Sequence, residues 1–78
     1  DKLVDLLREN PKAGVHLKHS VYKIRLKSSD ITKGKSGAFR VIYYVLISDG
    51  RIYLLTIYSK SEKENISWEE IDDIIKQI

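Results

Sequence analysis

The sequence has no cysteine, and none of its apolar runs approaches the length of a membrane span. Without cysteine, neither a disulfide framework nor a thiolate metal site can form. A membrane-spanning helix needs about 20 consecutive apolar residues, and no signal peptide opens the sequence. We therefore expect a cytoplasmic protein that does not act at a membrane.

The chain is also short, at 78 residues. This length allows one small domain, in which every apolar segment must contribute to the core. The sequence begins at Asp1 rather than at methionine and enters directly into a helical pattern. We therefore assign residues 1–78 to a single domain and expect that further N-terminal residues precede it in the full protein.

Acidic residues are nearly missing from the middle of the chain, where Asp30 is the only acid between Lys12 and Arg40. The basic residues of this region are Lys12, Lys18, Lys23, Arg25, Lys27, Lys33, Lys35 and Arg40. After Lys60 the balance reverses. The acids there are Glu62, Glu64, Glu69, Glu70, Asp72 and Asp73. This asymmetry favours a middle region that binds a polyanion, although a solvated surface with segregated charges gives the same pattern.

The most apolar stretch, residues 40–58, predicts a β-hairpin at the centre of the core. Two runs of β-branched and aromatic residues flank the turn sequence Ser48-Asp49-Gly50. Both runs are apolar at odd and even positions, so we expect cover on both faces of the hairpin. The hairpin begins at Arg40 and ends at Tyr58-Ser59-Lys60, and we expect the functional chemistry at this open end.

Helices are predicted on both sides of the strands. An apolar stripe at helical spacing opens the chain and ends at Asn10-Pro11, because proline cannot continue the helical hydrogen bonds. Near the other end, Ser67-Trp-Glu-Glu70 matches a capping box, which predicts a helix that begins near Trp68. The isoleucines of this predicted helix form a stripe at helical spacing: Ile71, Ile74, Ile75 and Ile78.

Residues 21–27 alternate between apolar and basic side chains, which predicts a half-buried strand. The apolar positions are Tyr22, Ile24 and Leu26, and the basic positions are Lys23, Arg25 and Lys27. A row of cations on one face favours a bound anion such as phosphate. An exposed edge strand that is basic to prevent aggregation gives the same pattern.

Two other motifs point to weaker alternatives. His16 and His19 have a spacing that can hold a metal, but no third ligand cluster is near, so we expect loop histidines and no metal site. Residues 33–37, Lys-Gly-Lys-Ser-Gly, do not match the phosphate-binding loop pattern and precede a strand. We expect a basic connection that lies along a nucleic-acid backbone.

Three stretches together resemble the RelE/HigB group of bacterial toxins, part of the RelE/ParE superfamily found in type II toxin–antitoxin systems. They are VYKIRLK at residues 21–27, GKSGAFRVIY at 34–43 and IYLLTIYSKSEK at 52–63. The resemblance implies a small α+β RelE-like domain with an N-terminal helix, a curved three-stranded antiparallel sheet and a C-terminal helix. It also implies a toxin that cuts mRNA on the ribosome and so inhibits translation.

The resemblance assigns roles to particular residues. The catalytic set is Lys23 as the base, Arg40 as the residue that grips the scissile phosphate, and Lys60 as the general acid or a phosphate ligand. The RNA-binding set is Arg25, Lys27, Lys33, Lys35 and Tyr58. Some relatives carry a functional tyrosine after the last strand, where this chain offers only Trp68.

The resemblance also implies partners. These are a cognate antitoxin, the ribosome and mRNA, with no cofactor. We expect an acidic or amphipathic antitoxin segment to lie over Lys23, Arg25 and Arg40, or to displace the C-terminal helix. A ParE-like toxin that inhibits gyrase and a catalytically inactive RNA-binding relative remain as alternatives.

The register of the hairpin decides whether this catalytic set shares a face. A two-residue turn at Asp49-Gly50 would place Arg40 and Lys60 on opposite faces. We predict instead a three-residue loop at 48–50, with Gly50 left-handed in a bulge, which pairs Arg40 with Tyr58. The predicted partners on the other face are Val41 with Ile57, Tyr43 with Leu55 and Val45 with Tyr53.

Overall fold

The structure is a computed structural model and describes residues 2–27, 38–59 and 61–78. Its helices and strands in chain order are α1 (Lys2–Glu9), β1 (Val15–Lys18), β2 (Val21–Lys27), β3 (Ala38–Leu46), β4 (Arg51–Ser59) and α2 (Trp68–Ile75). A short 3-10 helix, Ile47–Asp49, joins β3 to β4. Both helices of the described chain have eight residues, too few to cross a bilayer.

The four strands form one antiparallel sheet in the order β1-β2-β3-β4. The predicted α+β class with one helix at each end is confirmed, but the predicted count of three strands is wrong. The added strand is β1, which lies in the segment expected to be a connection. Val15 and Leu17 alternate with His16 and Lys18, but all four residues are exposed, and the pairing of this segment with β2 defines the strand.

Each face of the sheet carries one helix and one buried cluster. The cluster beneath α1 consists of Leu3, Leu7, Tyr22, Ile24, Leu26, Val41, Tyr43 and Val45. The cluster beneath α2 consists of Val21, Ile42, Tyr58 and Ile71. The predicted cover on both faces of the central hairpin is therefore confirmed, and the basic side chains of β2 lie on the face that carries α2.

Tyr43 connects the segment before β1 to the centre of the sheet. Its hydroxyl accepts a hydrogen bond from the backbone N–H of Gly14 at 3.0 Å, and burial raises the pKa of this phenol. A Cβ atom on Gly14 would lie 2.5 Å from the carbonyl oxygen of Lys23. Glycine at this position therefore allows the chain to pass close to β2 beside a predicted catalytic residue.

The loop between β3 and β4 is one residue longer than predicted. Leu46 pairs with Arg51, so residues 47–50 form a four-residue loop because Ile47 enters the 3-10 helix instead of extending β3. Gly50 adopts the predicted left-handed conformation, with φ of 63°. The predicted loop length is wrong, whereas the predicted role of the glycine is confirmed.

A β-bulge at Leu55 then shifts the register of β4. Tyr43 pairs with Leu54, and the next residue on β3, Ile42, pairs with Thr56. Leu55 is thus the extra residue of the bulge. Its side chain packs against the buried cluster beneath α2.

This shift produces the predicted partners at the open end of the hairpin. Arg40 faces Tyr58, and Val41 faces Ile57, both as predicted. Between the bulge and the turn the predicted partners are wrong. The observed pairs there are Tyr43 with Leu54, Tyr44 with Tyr53 and Val45 with Ile52.

Helix α2 begins at Trp68, as the capping box predicts. The Ser67 hydroxyl accepts a hydrogen bond from the backbone N–H of Glu70 at 3.2 Å. Lys63 is the main cause that lowers the pKa of the Glu70 carboxyl, and the hydroxyl and the backbone N–H of Ser67 lower it further. The helix ends at Ile75, and Ile78 is 62 % exposed, so the isoleucine stripe is shorter than predicted.

Candidate nucleic-acid interface

The alternation of β2 places its cations on the face of the sheet that carries α2. Lys23 is half-buried, whereas Arg25 and Lys27 are exposed. The intervening apolar side chains are all buried: Tyr22, Ile24 and Leu26. The half-buried strand predicted from the sequence is thus confirmed, with its basic residues turned away from the core beneath α1.

Three polar side chains form a row across the sheet at the open end of the hairpin. Arg25 on β2 pairs directly with Arg40 on β3, which pairs with Tyr58 on β4. Like charges directly opposite each other destabilise an antiparallel pair. We refer to Arg25, Arg40 and Tyr58 as the transverse row. An anion bound to this row would neutralise the repulsion between its two guanidinium groups.

Two members of the transverse row carry buried donors without a partner. Among the described residues, the Nη1 atom of Arg40 and the hydroxyl of Tyr58 have no hydrogen-bond partner. Leaving such a group unpaired costs about 1–3 kcal/mol. Either group would donate to a phosphate oxygen admitted by movement of its neighbours, and an arginine fork suits the non-bridging oxygens of a phosphodiester.

Lys23 lies one row away from Arg40 on the same face. It pairs with Ile42, which is two residues from Arg40, and such diagonal neighbours have Cα atoms about 7–8 Å apart. A lysine side chain is long enough to reach a group held by Arg40. The structure therefore brings two of the three predicted catalytic residues to one surface.

The ring of Tyr58 is buried, with 3 % of the residue exposed. It packs in the cluster that contains Ile42 and Ile71 of α2. Stacking of this ring on an RNA base would therefore require α2 to move. The hydroxyl is also buried, so a hydrogen bond from it to a phosphate would likewise require neighbouring side chains to move.

A tight turn after β4 returns the chain to this site. The backbone N–H groups of Glu62 and Lys63 both donate to the carbonyl oxygen of Ser59, at 3.1 and 3.2 Å. The Glu62 carboxylate accepts from the hydroxyl of Ser59 at 3.1 Å. This turn places the Nζ atom of Lys63 5.9 Å from the centre of the Tyr58 ring.

The functional expectations from the sequence missed Lys63. Its ammonium group donates to the Glu70 carboxylate at 2.9 Å and forms a salt bridge with it. Lys63 falls inside the stretch that resembles the toxin family, but no local spacing links it to Glu70, seven residues further along. The capping box signals only the contact between Ser67 and Glu70.

Three predicted residues lie outside the described part of the chain. They are Lys33, Lys35 and Lys60. The predicted convergence of Lys60 with Arg40 and the predicted course of the basic connection therefore stay predictions.

The histidines and Trp68 lie together at the turn between β1 and β2. The His16 ring contacts the Tyr22 ring, and its Nε2 atom donates a hydrogen bond to the carbonyl oxygen of His19. The centres of the His19 and Trp68 rings are 5.8 Å apart. The Nζ atom of Lys18 lies 5.1 Å from the centre of the Trp68 ring. Trp68 thus contacts the β1–β2 turn. No group of three or more potential metal ligands is found within residues 2–27, 38–59 and 61–78.

The geometry joins two features at one end of the sheet. One is a row of opposed arginines and a buried tyrosine hydroxyl, and the other is a nearby lysine on the same face. This combination suits an anionic ligand with several oxygen acceptors. No model of a known protein family matches the chain.

Proposed function

We propose that this protein is a RelE/HigB-like toxin that cuts mRNA on the ribosome and is neutralised by a cognate antitoxin. The observation that carries the proposal is the transverse row, with its two unpaired buried donors and its directly opposed arginines. A bound polyanion would neutralise the opposed arginines, and after a local movement its oxygens would give the two buried donors an acceptor. The resemblance of residues 21–63 to that toxin group supports RNA as the polyanion.

The proposed reaction is an attack by the ribose 2′-hydroxyl on the adjacent phosphate. The amine of Lys23 accepts the hydroxyl proton, the 2′-oxygen bonds to phosphorus, and the bond from phosphorus to the 5′-oxygen breaks. Arg40 donates to the non-bridging oxygens, where negative charge builds up in the transition state. Lys60 donates a proton to the leaving 5′-oxygen, which yields a cyclic phosphate and a 5′-hydroxyl.

Substitution of Arg40 tests this proposal. Arg40→Ala should abolish mRNA cleavage in a translating extract and should relieve growth inhibition, because the phosphate loses its main ligand. Arg51→Ala is the matched control, since Arg51 is exposed at the turn end of the same hairpin. It should leave cleavage and toxicity intact.

The substrate and target need a separate measurement. The parent protein should cut mRNA during translation and hardly cut free RNA. Inhibition of DNA supercoiling by gyrase, with no RNA cleavage, would support the gyrase-inhibiting relatives instead. If expression leaves growth unaffected and mRNA intact, the proposed toxin activity is wrong.

A further inference from the structure

Lys63 lies beside the transverse row but belongs to the segment between β4 and α2. Its ammonium group lies against the ring of Tyr58, whose hydroxyl is one of the two unpaired buried donors. A cation at this position adds to the positive potential around Arg40. It is therefore placed to contact an anion held by the row.

Glu70 holds Lys63 at this position. The Glu70 carboxylate accepts from Lys63 and also from the hydroxyl of Ser67. Both partners are partly exposed, with 39 % of the Lys63 side chain and 52 % of the Glu70 side chain accessible. An exposed ion pair strengthens an association by a factor of about five at most, so a phosphate can displace the carboxylate from the ammonium.

We propose that Lys63 is a further phosphate-binding residue and that Glu70 is its internal competitor. In the free protein the carboxylate of Glu70 neutralises Lys63. When RNA binds, an oxygen of the phosphate held by Arg40 replaces that carboxylate as the acceptor for the Lys63 ammonium. This inference rests on the proposed function, because it takes the ligand to be an RNA phosphate.

The test measures the affinity of the protein for a 2′-O-methyl RNA trinucleotide, which has phosphodiester groups but no attacking hydroxyl. Lys63→Ala should weaken binding about three- to tenfold, as expected for a charged contact at a partly exposed site. Glu70→Gln should strengthen binding about two- to fivefold, because Lys63 no longer has a charged partner. Glutamine can still bond to Ser67, which preserves the start of α2.

The double variant separates this inference from general electrostatics. Lys63→Ala with Glu70→Gln should bind as weakly as Lys63→Ala alone, because Glu70 acts through Lys63. If Glu70→Gln strengthens binding equally with or without Lys63, the competition is wrong. Unchanged affinity in either single variant also overturns the inference.

Two controls complete the experiment. Asp72→Asn removes an equal charge from α2 by breaking the exposed pair between Asp72 and Lys76, and it should leave the affinity unchanged. Arg40→Ala distinguishes the two proposals. Lost binding in Arg40→Ala with normal binding in Lys63→Ala refutes only the role of Lys63, whereas normal binding in both variants refutes the phosphate site itself.

Discussion

Arg40 lies in a position that destabilises the free protein. Arg40 pairs directly with Arg25 across the two strands, and its Nη1 atom is buried without a partner among the described residues. A surface residue selected for stability alone would have neither property. Under the proposed function, the conflict between folding and function is thus concentrated in one side chain.

Replacing Arg40 with methionine should therefore stabilise the fold while it removes activity. Methionine retains an unbranched apolar stem, relieves the repulsion with Arg25 and leaves no buried donor. We expect a gain of about 1 kcal/mol, which raises the melting temperature of a domain of this size by about 4–8 °C. Thermal unfolding by circular dichroism measures this change.

The matched control for this measurement is Arg51→Met. Arg51 is exposed, so its replacement should shift the melting temperature little. A lower melting temperature for Arg40→Met than for the parent would contradict the destabilising role of Arg40.

At the scale of helices and strands, the sequence patterns that led to correct predictions involve residues close together in the chain. Pro11 prevents α1 from continuing, Ser67 caps the start of α2, and alternation sets the faces of β2; each signal depends on side chains within a few residues of one another. The errors concern contacts between one segment and another, which no pattern within a single segment reveals. Exposed β1 is defined by its pairing with β2, and the ion pair between Lys63 and Glu70 depends on how the chain turns after β4.

The hairpin shows how a wrong local detail can still lead to the right site. The loop has one residue more than predicted, and on a regular strand this would turn Tyr58 to the face opposite Arg40. The extra residue Leu55 returns the Tyr58 side chain to the same face of the sheet as Arg40. The sequence does not reveal this bulge, because Leu54 and Leu55 are both apolar and fit either face.

Deletion of Leu55 should therefore preserve the pairing of Arg40 with Tyr58. Leu54 would continue regularly to Thr56, and each would keep its partner on β3. The variant should be less stable by about 1–2 kcal/mol, because a partly buried leucine is lost. Nuclear Overhauser contacts between β3 and β4 report the register, and thermal unfolding reports the stability.

Leu55→Ala separates packing from register in this experiment, since it removes most of the side chain and keeps the bulge. Its loss of stability should account for most of the loss in the deletion variant. Disappearance of the contacts between Arg40 and Tyr58 after the deletion would show that the bulge does not set the register as argued.

The ion pair at the start of α2 should make the stability of the folded protein depend on pH. Lys63 lowers the pKa of Glu70 below its ordinary value in the folded protein. The charged carboxylate therefore contributes stability that is fully present above the ordinary pKa and is lost as the pH falls through the lowered one. The melting temperature of the parent should exceed that of Glu70→Gln at neutral pH, and this difference should shrink in acid.

High salt provides the check on this explanation. The pair is exposed, so added salt should also reduce the difference at neutral pH. A difference that is constant from neutral to acid pH would exclude the Glu70 charge as its source.

At the scale of the whole molecule, the separation of charge along the sequence becomes an opposition across one face. The acidic helix α2 packs on the same side of the sheet as the basic residues of β2. Lys63 and Glu70 form a direct ionic contact between the loop and the helix. The protein thus carries an acidic element on its own basic face, and under the proposed function we expect an acidic antitoxin segment to bind beside this element or in its place.

This arrangement leads to a prediction about the antitoxin that the proposed function requires. Arg25 is exposed at the edge of the transverse row, where α2 does not bury it, so it is available to an acidic antitoxin segment. Arg25→Glu should weaken the complex with the proposed antitoxin by roughly tenfold and should make it less sensitive to salt, because one attractive charge becomes repulsive. Titration calorimetry at several salt concentrations measures both effects.

Arg51→Glu is the control, since it reverses an exposed arginine at the far end of the hairpin and should change neither the affinity nor its salt dependence. If Arg25→Glu binds the antitoxin with the affinity and salt dependence of the parent, the antitoxin does not neutralise this row, and its contacts must lie elsewhere on the protein.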